Sequence, residues 1–264
     1  MISFTSAQLD AWMAAFLFPL ARIFALMATA PVYNNAGIPV RTRLAVGLAI
    51  TLALLPILPP MPAIPSGSWL SFAVLAREIL IGIMMGFTLR LAFVTIDIAG
   101  ELIGLQMGLS FAVAYDPQNA GQTPVLTEFI GLLTTLIFLA LGGHLMILQA
   151  LVESFRLLPV SPVFGESGGL AVLLRWSSVI FATGLLLSLP LITALLIANI
   201  ALGVLSRVAP TLNLFAVGFP VTLAVGFAVL MFSLPYLSAA LSSIFDQGFN
   251  AMEQVLLTSS GKAR

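Results

Sequence analysis

Apolar residues run through this chain in long blocks, at about 11 to 30, 44 to 58, 69 to 96, 98 to 115, 126 to 152, 176 to 205 and 211 to 245. Each block outlasts the usual strand of about five or six residues, and none shows the short dyad alternation of a lipid-facing barrel. The blocks predict helices. Between them, PILPPMPAIPSG (56 to 67) is too rich in proline for a helix and predicts an extended, exposed loop. LPVSPVFGESGG (158 to 169) predicts a second loop, and the more polar residues after Phe245 predict a short tail lying on the surface. Pro190, Pro220 and Pro235 fall inside apolar blocks. Membrane helices accept proline where neighbouring groups satisfy the freed carbonyls, so kinked helices packed against protein are expected there.

Composition decides the class. Hydrophobic residues make up 60% of the chain and charged residues 8%, with a mean hydropathy of +1.14, against about 45–50% and 25% in ordinary globular domains. This predicts an all-α integral membrane protein. At about 20 apolar residues per crossing, 264 residues hold about six or seven crossings and leave no length for a water-soluble domain. Ten basic and ten acidic residues cancel without any Lys/Arg cluster, so nucleic acid is not an expected partner. With no cysteine, disulfides, thiolate metal sites and thiol nucleophiles are excluded. The opening MISFTSAQLD lacks a basic n-region, so the first apolar block is expected to stay in the mature chain of a bacterial inner-membrane protein. Neither an HExxH pair nor a GxxxxGK[ST] loop occurs. No enzyme activity, cofactor or metal is expected.

One helical stretch departs from a lipid-facing pattern. GIMMGFTLRLAFVTIDIAGELIGLQMG (82 to 108) carries three charges, and exposing all three to lipid would cost roughly 8–10 kcal/mol at about 2.5–3.5 kcal/mol each. At about 100° per residue, with Gly100 at zero, Gly82 lies near 0°, Gly86 and Gly104 near 40°, Asp97 near 60°, Arg90 and Gly108 near 80°, and Glu101 near 100°. Gly82, Gly86, Gly100 and Gly104 therefore form a helix-packing seam that lets backbones approach closely. Arg90, Asp97 and Glu101 are expected to be buried along it, either paired internally or acting as a proton or ion relay.

That seam leads into GLSFAVAYDPQNAGQTP (108 to 124), where Asp116-Pro117, Asn119, Gly121 and Pro124 oppose helix. Irregular backbone between apolar blocks survives at membrane depth only when buried by protein or lining an aqueous cavity. Phe111, Val113 and Tyr115 alternate with Ser110, Ala112 and Ala114. Two readings follow: an ordinary exposed interhelical loop, or a re-entrant plug comprising Gly108, Leu109, Ser110, Phe111, Ala112, Val113, Ala114, Tyr115, Asp116 and Pro117. Elsewhere, Arg207-Val208-Ala209-Pro210 fits a hairpin tip between the last two blocks, with Arg207 and Pro210 as its marked residues. Glu128 favours a helix N-terminus, and His144, the sole histidine, is expected to be packed or interfacial.

PVYNNAGIPVRTRLAVGLAI (31 to 50), REILIGIMMGF (77 to 87), AGELIGLQMGLSFAVAYDP (99 to 117) and NIALGVLSRVAPTLNLFAVGFPV (199 to 221), in this order, resemble successive signatures of the FliR family of flagellar export-gate proteins, which is related to an injectisome component. The resemblance implies a FliP-like part, 1 to 165, followed by a FliQ-like helical hairpin, 166 to 264, in a helical ring with FliP-type and FliQ-type subunits. It implies a single copy of this chain, a pore for unfolded flagellar proteins, and FlhB-type and FlhA-type partners. It also implies an inner-membrane flagellar basal-body location, raised toward the periplasm, in contact with lipid. By the same resemblance, residues from Gly108 to about Gln122 correspond to the plug, with Phe111 as its bulky residue. The alternative is a stand-alone proton-coupled transporter of small solutes that uses Arg90, Asp97 and Glu101 as a relay.

Overall fold

The structure is a computed structural model. It describes residues 5–35, 37–62, 64–65, 67–109, 114–116, 121–162, 168–209 and 214–261. In chain order these form α1 (Ser6–Thr29), α2 (Val40–Leu54), α3 (Trp69–Gln106), β1 (Ala114–Asp116), β2 (Gly121–Thr123), α4 (Val125–Ala140), α5 (Gly143–Leu157), α6 (Gly168–Val208) and α7 (Leu214–Ser259). The protein is an all-α membrane protein with one small hairpin. Among the described residues four helices, α1, α3, α6 and α7, are long and apolar enough to cross a membrane, and α4 with α5 makes a fifth if that broken pair counts as one span.

Local sequence explains where the helices start and stop. Thr5 accepts a hydrogen bond from the Gln8 N–H while the Gln8 side chain accepts one from the Thr5 N–H, a reciprocal cap that starts α1. The block at 126 to 152 is broken at Gly142, whose φ of 74° no helix interior accepts. The blocks at 69 to 96 and 98 to 115 instead merge into the 38-residue α3. The expectation of a short surface tail after Phe245 is corrected, because α7 runs on to Ser259 and buries Ala251, Met252, Val255 and Leu256. Those apolar residues recur at helical spacing within a polar setting, so the segment is amphipathic.

The chain divides into two compact units, each assembled from separated segments. The first comprises Met1–Leu91, Gly142–Ser177 and Asp246–Arg264. Its core holds Ile23, Leu26, Met85, Ile147, Leu151, Phe155 and Met252. α2 packs on α1 where Gly47 leaves room for the Phe24 ring, and the Trp176 indole donates to the Thr88 carbonyl (3.2 Å). The second unit comprises Ala92–Leu141 and Ser178–Phe245. Phe93, Phe138 and Phe245 form a ring cluster with centroids 5.4, 5.3 and 4.9 Å apart, spacings at which edge-to-face aromatic pairs attract. Gly184 of α6 lies against the Thr95 carbonyl and Ile98 of α3.

Candidate functional site

The stretch read as a plug starts where α3 stops. The Met107 N–H donates to the Ile103 carbonyl (2.9 Å) and the Gly108 N–H to the Leu105 carbonyl (3.1 Å). Gly108 has φ 78°, the left-handed conformation that ends a helix and that glycine adopts without a Cβ clash. α3 is therefore closed at Gly108, before Asp116-Pro117 is reached. Ser110, Phe111, Ala112, Val113 and Pro117 lie outside the described residues. Where the backbone is described it is not irregular, which corrects that expectation. β1 and β2 pair antiparallel, with Ala114 opposite Thr123, Tyr115 opposite Gln122 and Asp116 opposite Gly121. Such a ladder satisfies backbone groups internally, which an irregular chain cannot do.

The root of this loop is packed closely. Met107 is fully buried and its side chain fills the notch left by Gly226 of α7. A Cβ on Gly226 would stand 2.6 Å from Met107 Cε, 2.8 Å from Cγ and 2.9 Å from Sδ. About two turns earlier on α7, the Phe219 ring lies over Gly108, 3.5 Å from where a Cβ would be. Beside these contacts is a recess of about 320 Å³ lined by Gln106, Gly108, Asn199, Gly203, Phe219 and Thr222 among others. Sequence reasoning passed over Met107, Phe219 and Gly226. The sequence shows only a glycine within the apolar run of α7, a notch that takes a large neighbouring side chain without saying which.

The glycine seam of α3 divides between two partner helices. In the first unit, a Cβ on Gly82 would meet Ala25 Cβ at 2.7 Å and the Leu26 nitrogen at 3.0 Å, and a Cβ on Gly86 would meet the Leu26 oxygen at 2.8 Å. Both glycines face α1. In the second unit, Gly100 faces Thr127 Cα at 3.0 Å and Gly104 faces Leu126 Cβ at 3.8 Å, both on α4. The charges sit elsewhere. Arg90, Asp97 and Glu101, expected to be buried, are exposed on this chain, which corrects that reading. The glycines at 0° to 40° lie at one edge of the buried arc, and the charges at 60° to 100° fall just beyond it. Ala76, Leu80, Ile83, Phe87 and Leu105 are exposed as well. The Asp97 carboxylate lies alongside α4, with Oδ1 3.8 Å from a Cβ built on Gly131.

The charges that are buried are ones the sequence reading did not single out. Arg22 of α1 and Glu78 of α3 have fully buried side chains in the first unit. Arg22 Nε donates to Glu78 Oε2 (2.6 Å), Nη1 to Ser154 Oγ (3.0 Å) and Nη2 to the Leu158 carbonyl (2.8 Å). Its guanidinium also lies 4.0 Å from the centroid of the Phe155 ring. Arg77 stands 3.5 Å from Glu78 Oε1 and donates to the Pro159 and Ser161 carbonyls (3.1 and 3.3 Å). Two arginines and one glutamate thus bind α1, α3, α5 and residues 158 to 161 together. A lone arginine in one apolar run and a lone glutamate in another were the signal, because each requires a partner away from lipid.

The remaining marked residues are placed simply. Arg207 is exposed in the last turn of α6, and Pro210 lies outside the described residues. Glu128 is in the first turn of α4. His144 opens α5 behind Gly142, with Nδ1 buried and without a hydrogen-bond partner among the described residues.

Long apolar helices, a seam of close helix contacts and a loop rooted among three of those helices define a multi-helix membrane protein whose distinctive feature is the α3–α4 connection. Residues 13–248 match the family described as Bacterial export proteins, family 1. The chain is 41% identical over 260 residues to the flagellar biosynthetic protein FliR of Pectobacterium carotovorum subsp. carotovorum, covering 97% of this chain and 98% of that one. It is 39% identical over 256 residues to FliR of Escherichia coli (strain K12), with 97% and 98% covered. To FliR of Bacillus subtilis (strain 168) it is 26% identical over 246 residues, with 92% and 94% covered. The chain belongs to this bacterial export protein family, the FliR family.

Proposed function

We propose that this chain is a structural, non-enzymatic subunit of the flagellar type III protein export gate, in which the loop from Gly108 to Gln122 closes a pore for unfolded flagellar proteins. The observation that carries the reading is the likeness to FliR proteins along the whole chain. The anchored root of the loop, where Met107 fills the Gly226 notch, supports it. FliP-type and FliQ-type subunits would complete the pore wall, with residues 1 to 165 as the FliP-like part and 166 to 264 as the FliQ-like hairpin. FlhB-type and FlhA-type proteins would be its neighbours in the basal body of the inner membrane, with the assembly raised toward the periplasm. Unmatched apolar surface is what such a subunit needs. Only 17% of the most apolar window of α6, and 17% of that of α7, is buried within the chain, leaving those faces for lipid and neighbouring subunits.

The test has two stages. A C-terminally tagged chain extracted in mild detergent is expected to bring down FliP-type and FliQ-type chains, identified by mass spectrometry. Deletion of residues 110 to 115 is then expected to leave that complex intact while making the membrane leaky to ions. An intact complex with unchanged conductance removes the plug. Recovery of the chain alone, monodisperse and folded, removes the gate and points to the transporter reading of Arg90, Asp97 and Glu101.

A further inference from the structure

We infer that Gly226 and Phe219 of α7 are positioning residues for the 108 to 123 loop, holding its root through a Met107 knob in the Gly226 notch and a Phe219 ring over Gly108. The inference rests on the loop being the functional element proposed above, and adds the part of the chain that controls it.

The two contacts hold successive residues. Met107 has no exposed surface, and its Cε, Sδ and Cγ atoms all lie within 3 Å of the position a Gly226 Cβ would take. Any side chain at 226 therefore displaces Met107, and a shorter side chain at 107 leaves the notch empty. Gly108 follows with φ 78°, so its backbone sets the direction in which the loop leaves α3, and Phe219 lies against that residue. Thr222, Gly226 and Leu230 are the buried positions along this part of α7. At four-residue spacing they make one stripe, and Phe219, exposed and three residues before Thr222, lies beside its start. Pro220 lies next to Phe219 and inside α7; it lacks an N–H, so one carbonyl in the preceding turn loses its helical partner. The first turns of α7 are thus both the surface that holds the loop root and the least tightly bonded stretch of the stripe. Displacing them moves Met107 and Gly108 together, which couples a neighbour pressing on α7 to the loop.

The absence of cysteine from the chain provides the assay. Ala114→Cys places a single thiol in β1, and its reaction with a membrane-impermeant maleimide is followed in membranes of cells expressing the chain with its assembly partners. Met107→Ala and Gly226→Leu, each alone, are expected to speed labelling about tenfold, the change that 1.4 kcal/mol of lost anchoring represents. The pair Met107→Ala with Gly226→Leu restores the volume of the contact and is expected to return labelling to within about twofold of the parent, as coupled neighbours do. Unchanged labelling in both single variants overturns the inference, as does a double variant no slower than the singles. If Gly226→Leu does not accumulate, Met107→Ala and Phe219→Ala give the reading, and two unchanged rates overturn it. The 110 to 115 deletion separates this inference from the plug. Responsive labelling with a tight deletion membrane keeps the anchor and removes the plug; unresponsive labelling with a leaky deletion membrane does the opposite.

Discussion

Glu78→Gln tests the buried charge network most directly. In the parent protein one carboxylate serves two guanidinium groups, Arg22 at 2.6 Å and Arg77 at 3.5 Å. Removing its charge leaves two arginines facing each other, one of them with no exposed surface. Breaking a buried pair from one side costs about 3–5 kcal/mol, because the surviving charge keeps its desolvation penalty and loses its compensation. Arg22→Met breaks the same pair from the other side, leaving the buried Glu78 carboxylate with Arg77 at 3.5 Å and without its hydrogen bond from Arg22. It also orphans the Leu158 carbonyl and removes the Phe155 ring contact. An unsatisfied buried carbonyl costs about 1–3 kcal/mol, and a lost cation–π contact about 0.5–2 kcal/mol. The double variant Arg22→Met with Glu78→Leu removes the charge imbalance around Arg22 and leaves the orphaned carbonyl, the lost ring contact and an Arg77 that keeps only its Pro159 and Ser161 carbonyls. It is therefore expected to be more stable than Glu78→Gln alone, although it changes two residues.

Melting of the solubilised chain in mild detergent, followed through tryptophan fluorescence, reads this order, because Trp176 is bonded to α3 within the same unit. With about 2–4 °C per kcal/mol for chains of about this length, Glu78→Gln is expected to melt roughly 6–20 °C below the parent. A Glu78→Gln melt within about 2 °C of the parent refutes the reasoning, since a 1 kcal/mol loss alone exceeds that. A double variant less stable than Glu78→Gln refutes it equally, because the charge imbalance would then not be what costs stability.

Two further predictions concern α3. Gly86→Leu is expected to cost at least about 1–3 kcal/mol, because a Cβ there would stand 2.8 Å from the Leu26 oxygen and 2.9 Å from the Ala30 nitrogen, backbone atoms that cannot rotate aside; a melt equal to the parent's removes the α1–α3 contact. Arg90→Gln and Glu101→Gln are expected to leave the melting of the isolated chain unchanged, because both residues are exposed on it, while lowering the yield of co-purifying subunits. Lowered melting of the isolated chain with normal complex yield contradicts that placement.

What could be read from the sequence was whatever depends on one helix at a time. Gly82, Gly86, Gly100 and Gly104 share an arc by spacing alone, and close backbone approach needs only that arc. Their partners, α1 for the first pair and α4 for the second, depend on tertiary packing that a single helix does not encode. The same limit explains Arg90, Asp97 and Glu101. A helical wheel places them near the glycines, but the glycines themselves border the exposed side, and a few tens of degrees beyond them, less than one residue's turn of about 100°, the helix surface is exposed. Arg22 and Glu78 show the converse. Fifty-six positions apart, they share no local pattern, and only the cost of leaving each charge in an apolar run implies that they meet. The tail beyond Phe245 was hidden by averaging: its polar residues dominate its composition, yet Ala251, Met252, Val255 and Leu256 fall on one buried face. Met107 and Gly226 follow the same logic as the ion pair, since a large side chain and a glycine become informative only as a fitted pair. The exposed charges on α3 then pose a specific requirement. In lipid each would cost about 2.5–3.5 kcal/mol near the bilayer centre, and this chain does not bury them itself. In the gate proposed above, that burial, or an aqueous surface, has to come from outside the chain, which is why complex yield and not melting is the measurement on which Arg90 and Glu101 are expected to register.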